Sequence, residues 1–116
     1  MIRKLYPYGK KKTFNVTYDD GVLQDIRFVE LLNKYQLKGT FNLNSAMSEN
    51  GFEWTHESGL VVKRLKTEIL KSLYASHEVA SHTLNHPYMD SLTKEEILHE
   101  LSADKANLER LFGTEI

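Results

Sequence analysis

Two short polar clusters in this chain carry residue types suited to hydrolytic chemistry. The first is Asp19-Asp20, followed by Gly21, and the second is His82 and His86, four positions apart and followed by Pro87. Two imidazoles and one carboxylate make a three-ligand set that leaves the fourth position of a tetrahedral zinc ion free for water. A second carboxylate beside such an ion can accept a proton from that water. Adjacent carboxylates repel each other, and a bound divalent cation relieves that repulsion. Each cluster also has an ordinary reading, because Asp-Asp-Gly suits a turn and two histidines suit an exposed loop. The chemistry requires a fold that brings the clusters together.

The elements that must position them follow from periodicity. Thr13 to Tyr18 alternates, with Phe14, Val16 and Tyr18 on one face, and reads as a strand ending at the acidic pair. Asp25 is placed as the N-cap of a helix running to about Gln36, with Ile26, Val29, Leu32 and Tyr35 on its buried stripe. Gly39 opens a second strand over Thr40 to Asn44, with Phe41 and Leu43 on one side. The polar stretch Ser45 to Gly59 is expected to be a loop, and Lys63 to Tyr74 a helix. His77 to Ser81 is a brief third strand. Thr93 and Glu96 form a capping box for the last helix, whose apolar positions Ile97, Leu101, Leu108 and Leu111 share a face before Gly113.

The alternation β-α-β-α-β-α implies parallel strands joined by right-handed crossovers. Sites in such folds form beyond the carboxyl ends of the strands. Asp19-Asp20 and His82 to His86 both fall there, on one rim. The histidine spacing is expected to present both imidazoles on one side of a helical turn.

Composition narrows the classes. With 41% apolar and 27% charged residues, the 116-residue chain can bury a core, which excludes a disordered tail. A net charge of −1 gives no reason to invoke nucleic acid or anionic lipid. The absence of cysteine removes thiolate chemistry and disulfides. Met1 to Lys12 is a basic, aromatic arm without the apolar stretch of a secretory signal, and no run suits a membrane span. A cytoplasmic address is the corresponding expectation.

Thr17-Tyr18-Asp19-Asp20-Gly21 resembles the Thr-Phe-Asp-Asp-Gly motif of the polysaccharide deacetylases, the NodB-homology or carbohydrate esterase family 4 enzymes. Ser81-His82-Thr83-Leu84-Asn85-His86-Pro87 resembles their His-(Ser/Thr)-x-x-His motif. Gly39 to Asn44 and His77-Glu78-Val79 are similar to the family's connecting segments, although Tyr18 and Ser76 replace its usual Phe and Gly. The resemblance covers residues 13–116 and implies the N-terminal half of a deformed (β/α)7 barrel, about three βα units.

It also implies roles. Asp19 would be the general base, and Asp20, His82 and His86 the ligands of a divalent metal, most often zinc. The metal-held water would attack an acetyl group on an N-acetylated or O-acetylated carbohydrate. By the same resemblance Tyr18 would pack below the site, Thr83 would bond the backbone of its turn, and His56, His77 and His99 would be loop or surface residues. The family's orienting arginine and leaving-group acid are not recognisable, so this chain alone is expected to turn over poorly. Three parallel strands cannot close a barrel, so self-association through open sheet edges is also expected.

Two other readings compete. A receiver-type signalling domain has similar size and paired acids after its first strand, but it needs an aspartate where Ser81-His82 ends the third. A non-catalytic metal- or sugar-binding remnant of a deacetylase differs from the enzyme only in lacking acetate release.

Overall fold

The computed structural model describes residues 5–116, so Met1 to Lys4 of the expected N-terminal arm lie outside the described residues. The rest of that arm is exposed, with a 3-10 turn over Pro7–Gly9 and a bridge between Tyr6 and Lys10. The strands and helices then follow in order: β1 (Thr17–Asp19), α1 (Asp25–Lys34), β2 (Thr40–Leu43), α2 (Ser45–Asn50), β3 (Glu53–Thr55), β4 (Val61–Lys63), α3 (Thr67–Leu73), β5 (Glu78–Ser81) and α4 (Lys94–Phe112).

β1, β2 and β5 form a parallel sheet in the order β1-β2-β5. The expected α/β class and parallel topology are therefore present. Thr17 pairs with Thr40 and Asp19 with Asn42, while Leu43 pairs with Ser81, so all three strands end at one level. β2 lies in the middle because Phe41 and Leu43, both fully buried, alternate along it as a core strand requires. Around them pack Val29 and Leu32 of α1, Leu65, Leu70 and Tyr74 around α3, and Leu108 of α4. Burying each such aliphatic or aromatic side chain stabilises the fold by about 1.5–3 kcal/mol. The aromatic rings of Tyr18, Phe28, Phe41 and Tyr74 continue this core as a series, with centroid separations of 5.4, 6.1 and 4.5 Å.

Several expectations need correction. The first strand is three residues long, because β1 is an edge and Thr13 to Asn15 have no paired neighbour; Phe14 is 78% exposed. Ser45 to Gly59 is not a loop. It holds α2 and β3, and β3 pairs antiparallel with β4 as a hairpin. Residues at 61–63 belong to that hairpin, so the following helix starts at Thr67 rather than Lys63. Asp25 does not cap α1; it sits inside the first turn, buried, and accepts a hydrogen bond from the Tyr74 hydroxyl. Ile26 and Tyr35 of the expected stripe are exposed, while Phe28 takes part in the core.

The capping box at Thr93 and Glu96 forms as the sequence indicates, and Gly113 ends α4 at φ +75. However, the buried face of α4 carries Glu100 and Asp104 as well as Leu108, whereas Leu101 is exposed. No helix among the described residues is long and apolar enough to cross a membrane.

Candidate metal centre

The chain turns sharply after β1. Asp20 has φ +84 and Gly21 φ +61. A Cβ at Gly21 would lie 2.9 Å from Cδ2 of Leu43, so the turn is pressed against β2 and requires glycine on two counts. This presses Asp20 inward, while Asp19 stays at the exposed tip of the strand.

The two clusters meet. Asp20 Oδ1 lies 3.5 Å from His86 Nε2 and 3.9 Å from His82 Nε2. The ligand-capable atoms of Asp20, His82 and His86 all fall within 4.8 Å of one another. A tetrahedral ion with bonds of about 2.0–2.1 Å spaces its ligands about 3.3 Å apart, so small side-chain movements fit this set to one cation. Asp20 Oδ1 is buried and accepts no well-aligned hydrogen bond, which leaves a lone pair directed into the cluster. Its 3.1 Å contact to Arg64 Nη2 is an ion pair without hydrogen-bond geometry. Asp19 Oδ2 lies 4.0 Å from His82 Nε2, so the second carboxylate borders the same space.

The histidines are not on a helical turn. His82 directly follows β5, and the chain then runs irregularly with φ +71 at Thr83 and φ +56 at His86. These left-handed residues fold the segment back, bringing the imidazole centroids to 5.0 Å. The Thr83 hydroxyl makes no hydrogen bond among the described residues. Tyr18 packs edge-on against Phe28 yet stays 42% exposed, and it borders an open cleft with Asp19, Asp20, Trp54, Leu60 and Val62.

Sequence reasoning missed the residues that hold this arrangement. Asn42 on β2 donates through Nδ2 to Asp19 Oδ1 at 2.6 Å and to Thr17 Oγ1 at 2.9 Å, fixing one carboxylate oxygen and leaving the other towards His82. Its place beside Asp19 in the parallel register is the signal that would have found it. Asp104 of α4, fully buried, accepts the Ser45 N–H, the Ser81 hydroxyl and the His82 N–H. Glu100, one turn earlier, accepts the N–H and the side-chain amide of Asn85, both at 2.8 Å. α4 therefore holds the histidine segment at both ends. Arg64, whose side chain is 3% exposed, stacks over Trp54 at 5.3 Å. Burial pushes its pKa down, opposed by the neighbouring Asp20 carboxylate.

The other histidines stand apart. His77 is half-buried at the opposite end of the sheet, where Nδ1 accepts the Gly39 N–H and Nε2 meets Asn33 Oδ1. Burial and the nearby Lys38 charge lower its pKa. His56 and His99 are exposed, as expected.

The parallel α/β arrangement matches the NodB-type deacetylase fold. The Streptococcus pyogenes deacetylase PplD, solved with acetate, superposes with a TM-score of 0.75 at 21% identity, over 90% of this chain and 43% of that one. A polysaccharide deacetylase from Bacillus cereus, BC0361, gives 0.68 at 23% identity, over 93% and 32%. PdaA of Bacillus subtilis, a family 4 carbohydrate esterase, gives 0.63 at 17% identity, over 88% and 38%. This chain therefore spans two fifths or less of the length of two of these structures and 43% of the third. No curated protein matches it by sequence. The chain belongs to the polysaccharide deacetylase family, whose sequence profile matches residues 7–116.

Proposed function

We propose that residues 13–116 form the ligand- and base-bearing portion of a metal-dependent deacetylase acting on acetylated carbohydrate. In this reading Asp20, His82 and His86 hold a divalent cation, most suitably zinc given the nitrogen and oxygen donors. The bound ion supplies a Lewis acid and lowers the pKa of a coordinated water. Asp19, with Oδ2 facing the cluster, accepts the proton of the attacking water. Asn42 keeps that carboxylate aimed by donating to its other oxygen. The acetamide leaves as acetate and a free amine, or an ester as acetate and an alcohol.

The convergence of Asp20 with both imidazoles around one buried carboxylate oxygen that accepts no hydrogen bond carries this reading. It favours the deacetylase over a receiver-type domain, which needs an acceptor aspartate where β5 delivers His82. Among the described residues, no third histidine reaches the cluster to protonate a leaving amine, since His77 is tied at the opposite end of the sheet. A missing general acid costs about 10²–10⁴ in rate, so slow turnover by this chain is expected.

The test is metal analysis of the purified chain beside an Asp20→Ala/His82→Ala double variant, with acetate release from N-acetylated chitin oligosaccharides measured on both. Near-stoichiometric zinc in the parent and none in the variant is the expected result. Equal metal content in both would refute the ligand assignment. Zinc binding with no acetate release, at any enzyme concentration, would leave the non-catalytic reading standing instead.

A further inference from the structure

We infer that Asn44 and Arg64 form a buried bridge that holds the carboxylate half and the imidazole half of the candidate metal centre in register, which makes both of them positioning residues. The inference rests on the ligand set proposed above and adds what aligns it.

The two halves come from opposite edges of the sheet. Asp20 follows β1, His82 follows β5, and β2 lies between them. Asn44, the first residue after β2, is fully buried and links the two sides. Its Nδ2 donates to the carbonyl oxygens of His82 and Thr83, the latter at 2.9 Å. Its Oδ1 accepts from Nη1 of Arg64 at 2.9 Å. The same Nη1 also donates to the carbonyl oxygen of Asp20, while Nη2 faces the Asp20 carboxylate at 3.1 Å. An unbroken path of polar contacts therefore runs from the histidine segment through Asn44 and Arg64 to the acidic turn.

Two joints of this path, at Asp20 and at Thr83, fall on backbone that would otherwise relax. Asp20 and Thr83 both have positive φ, a conformation that costs a non-glycine residue of order 1 kcal/mol or more unless its surroundings fix it. Arg64 itself is anchored: its N–H donates to Phe52, and the next N–H, of Leu65, donates to Gly21 beside Asp20. Chemistry also explains the residue types. Only an amide side chain presents a donor group to two carbonyls and an acceptor to a cation at once. Only a planar guanidinium reaches an amide oxygen, a carbonyl and a carboxylate from one fixed fork. A buried cation beside a metal site opposes ion binding electrostatically, so its presence is explained by alignment and not by charge.

The experiment uses the 116-residue chain and the metal ions themselves. Zinc affinity is measured by competition with a chromophoric chelator, and Co²⁺ visible absorption reports ligand geometry. Four proteins are compared: the parent, Asn44→Asp, Arg64→Lys and the ligand control His86→Ala. Asn44→Asp retains the acceptor for Arg64 but loses the amide donors. It should weaken zinc binding about 10–100-fold, the usual effect of removing a group that orients a metal ligand, and alter the Co²⁺ spectrum. Arg64→Lys should fall between it and the parent, while His86→Ala should lose binding more completely. Parent-like affinity and spectra in both bridge variants, with His86→Ala impaired, would overturn the bridge alone. A parent that binds no ion would overturn the ligand set and the bridge together. Should the variants not fold, NMR of the metal-free parent decides. Resolved, slowly exchanging Arg64 Nη protons and Asn44 side-chain amide protons support the bridge, and freely averaged signals overturn it.

Discussion

Asp104 offers the sharpest test of how the histidine segment is held. Its Oδ1 accepts the Ser45 N–H at 2.7 Å, and its Oδ2 accepts the Ser81 hydroxyl at 2.6 Å and the His82 N–H at 3.2 Å. The carboxylate thus acts as a remote cap for α2, whose own N-cap residue Asn44 makes no capping bond, and also secures the end of β5. Asp104→Ala strands the Ser45 N–H at about 1–3 kcal/mol, because the Ser81 hydroxyl can rotate to another partner and the His82 N–H keeps the Leu43 carbonyl at 2.9 Å. The expected cost is about 1–3 kcal/mol, a sizeable share of the roughly 5–15 kcal/mol that keeps a small domain folded. Asp104→Asn keeps the shape and one acceptor. Its oxygen can serve Ser45 while its NH2 donates to Ser81 Oγ, and the His82 N–H keeps the Leu43 carbonyl, so Asp104→Asn should cost less than Asp104→Ala. Urea unfolding followed by the fluorescence of Trp54, the single tryptophan, measures both variants. A parent-like midpoint for Asp104→Ala, or an Asn variant weaker than the Ala variant, would refute this account.

Asp25 gives a pH signature. Burial raises its pKa to about 6, against the opposing hydrogen bond from Tyr74. The folded state therefore holds a proton that the unfolded chain releases near pH 4, so this residue's contribution to stability is full below about pH 4 and declines as pH rises to about 6. The decline is at most about 3 kcal/mol, and Asp25→Asn should flatten it in urea midpoints measured across that window; an unchanged slope would count against it. Asn42→Ala removes the donor to Asp19 and should lower acetate release about tenfold, the equivalent of one such bond of about 1.4 kcal/mol, while zinc content stays at the parent level. A loss of zinc in that variant would contradict the separation of base and ligands. Thr93→Ala breaks the capping box of α4 and should lower stability by about 1 kcal/mol, or about 4–8 °C in Tm, by thermal circular dichroism.

What the sequence disclosed, and what it concealed, has a physical pattern. Alternation in Thr40 to Leu43 and the Thr93–Glu96 box were legible because each is a local signal with one outcome. The convergence of Asp20 with His82 and His86 was legible through topology, since parallel strands must bring their carboxyl ends to one rim. α2 was concealed because it has almost no apolar face; it is held by Asp104 and by the Asn107 amide on Ser45. The hairpin was concealed because Glu53, Lys63 and the polar residues between its strands look like loop composition. The buried face of α4 was misread because Glu100 and Asp104 look like solvent-facing residues until their partners are known. A carboxylate's burial depends on which amides meet it, and those lie distant in the chain.

The left-handed conformations at Asp20, Thr83 and His86 have a further consequence. This molecule spends conformational ease at the positions where it needs accuracy, and recovers it through amides and carboxylates on other elements. Substitutions along the inner face of the long C-terminal helix would therefore register in the laboratory as ordinary loss of robustness, although the damage lands on the imidazoles. Surveys that sort variants by proximity to the reactive groups would overlook them, whereas surveys that sort by who restrains the bent segments would find them first.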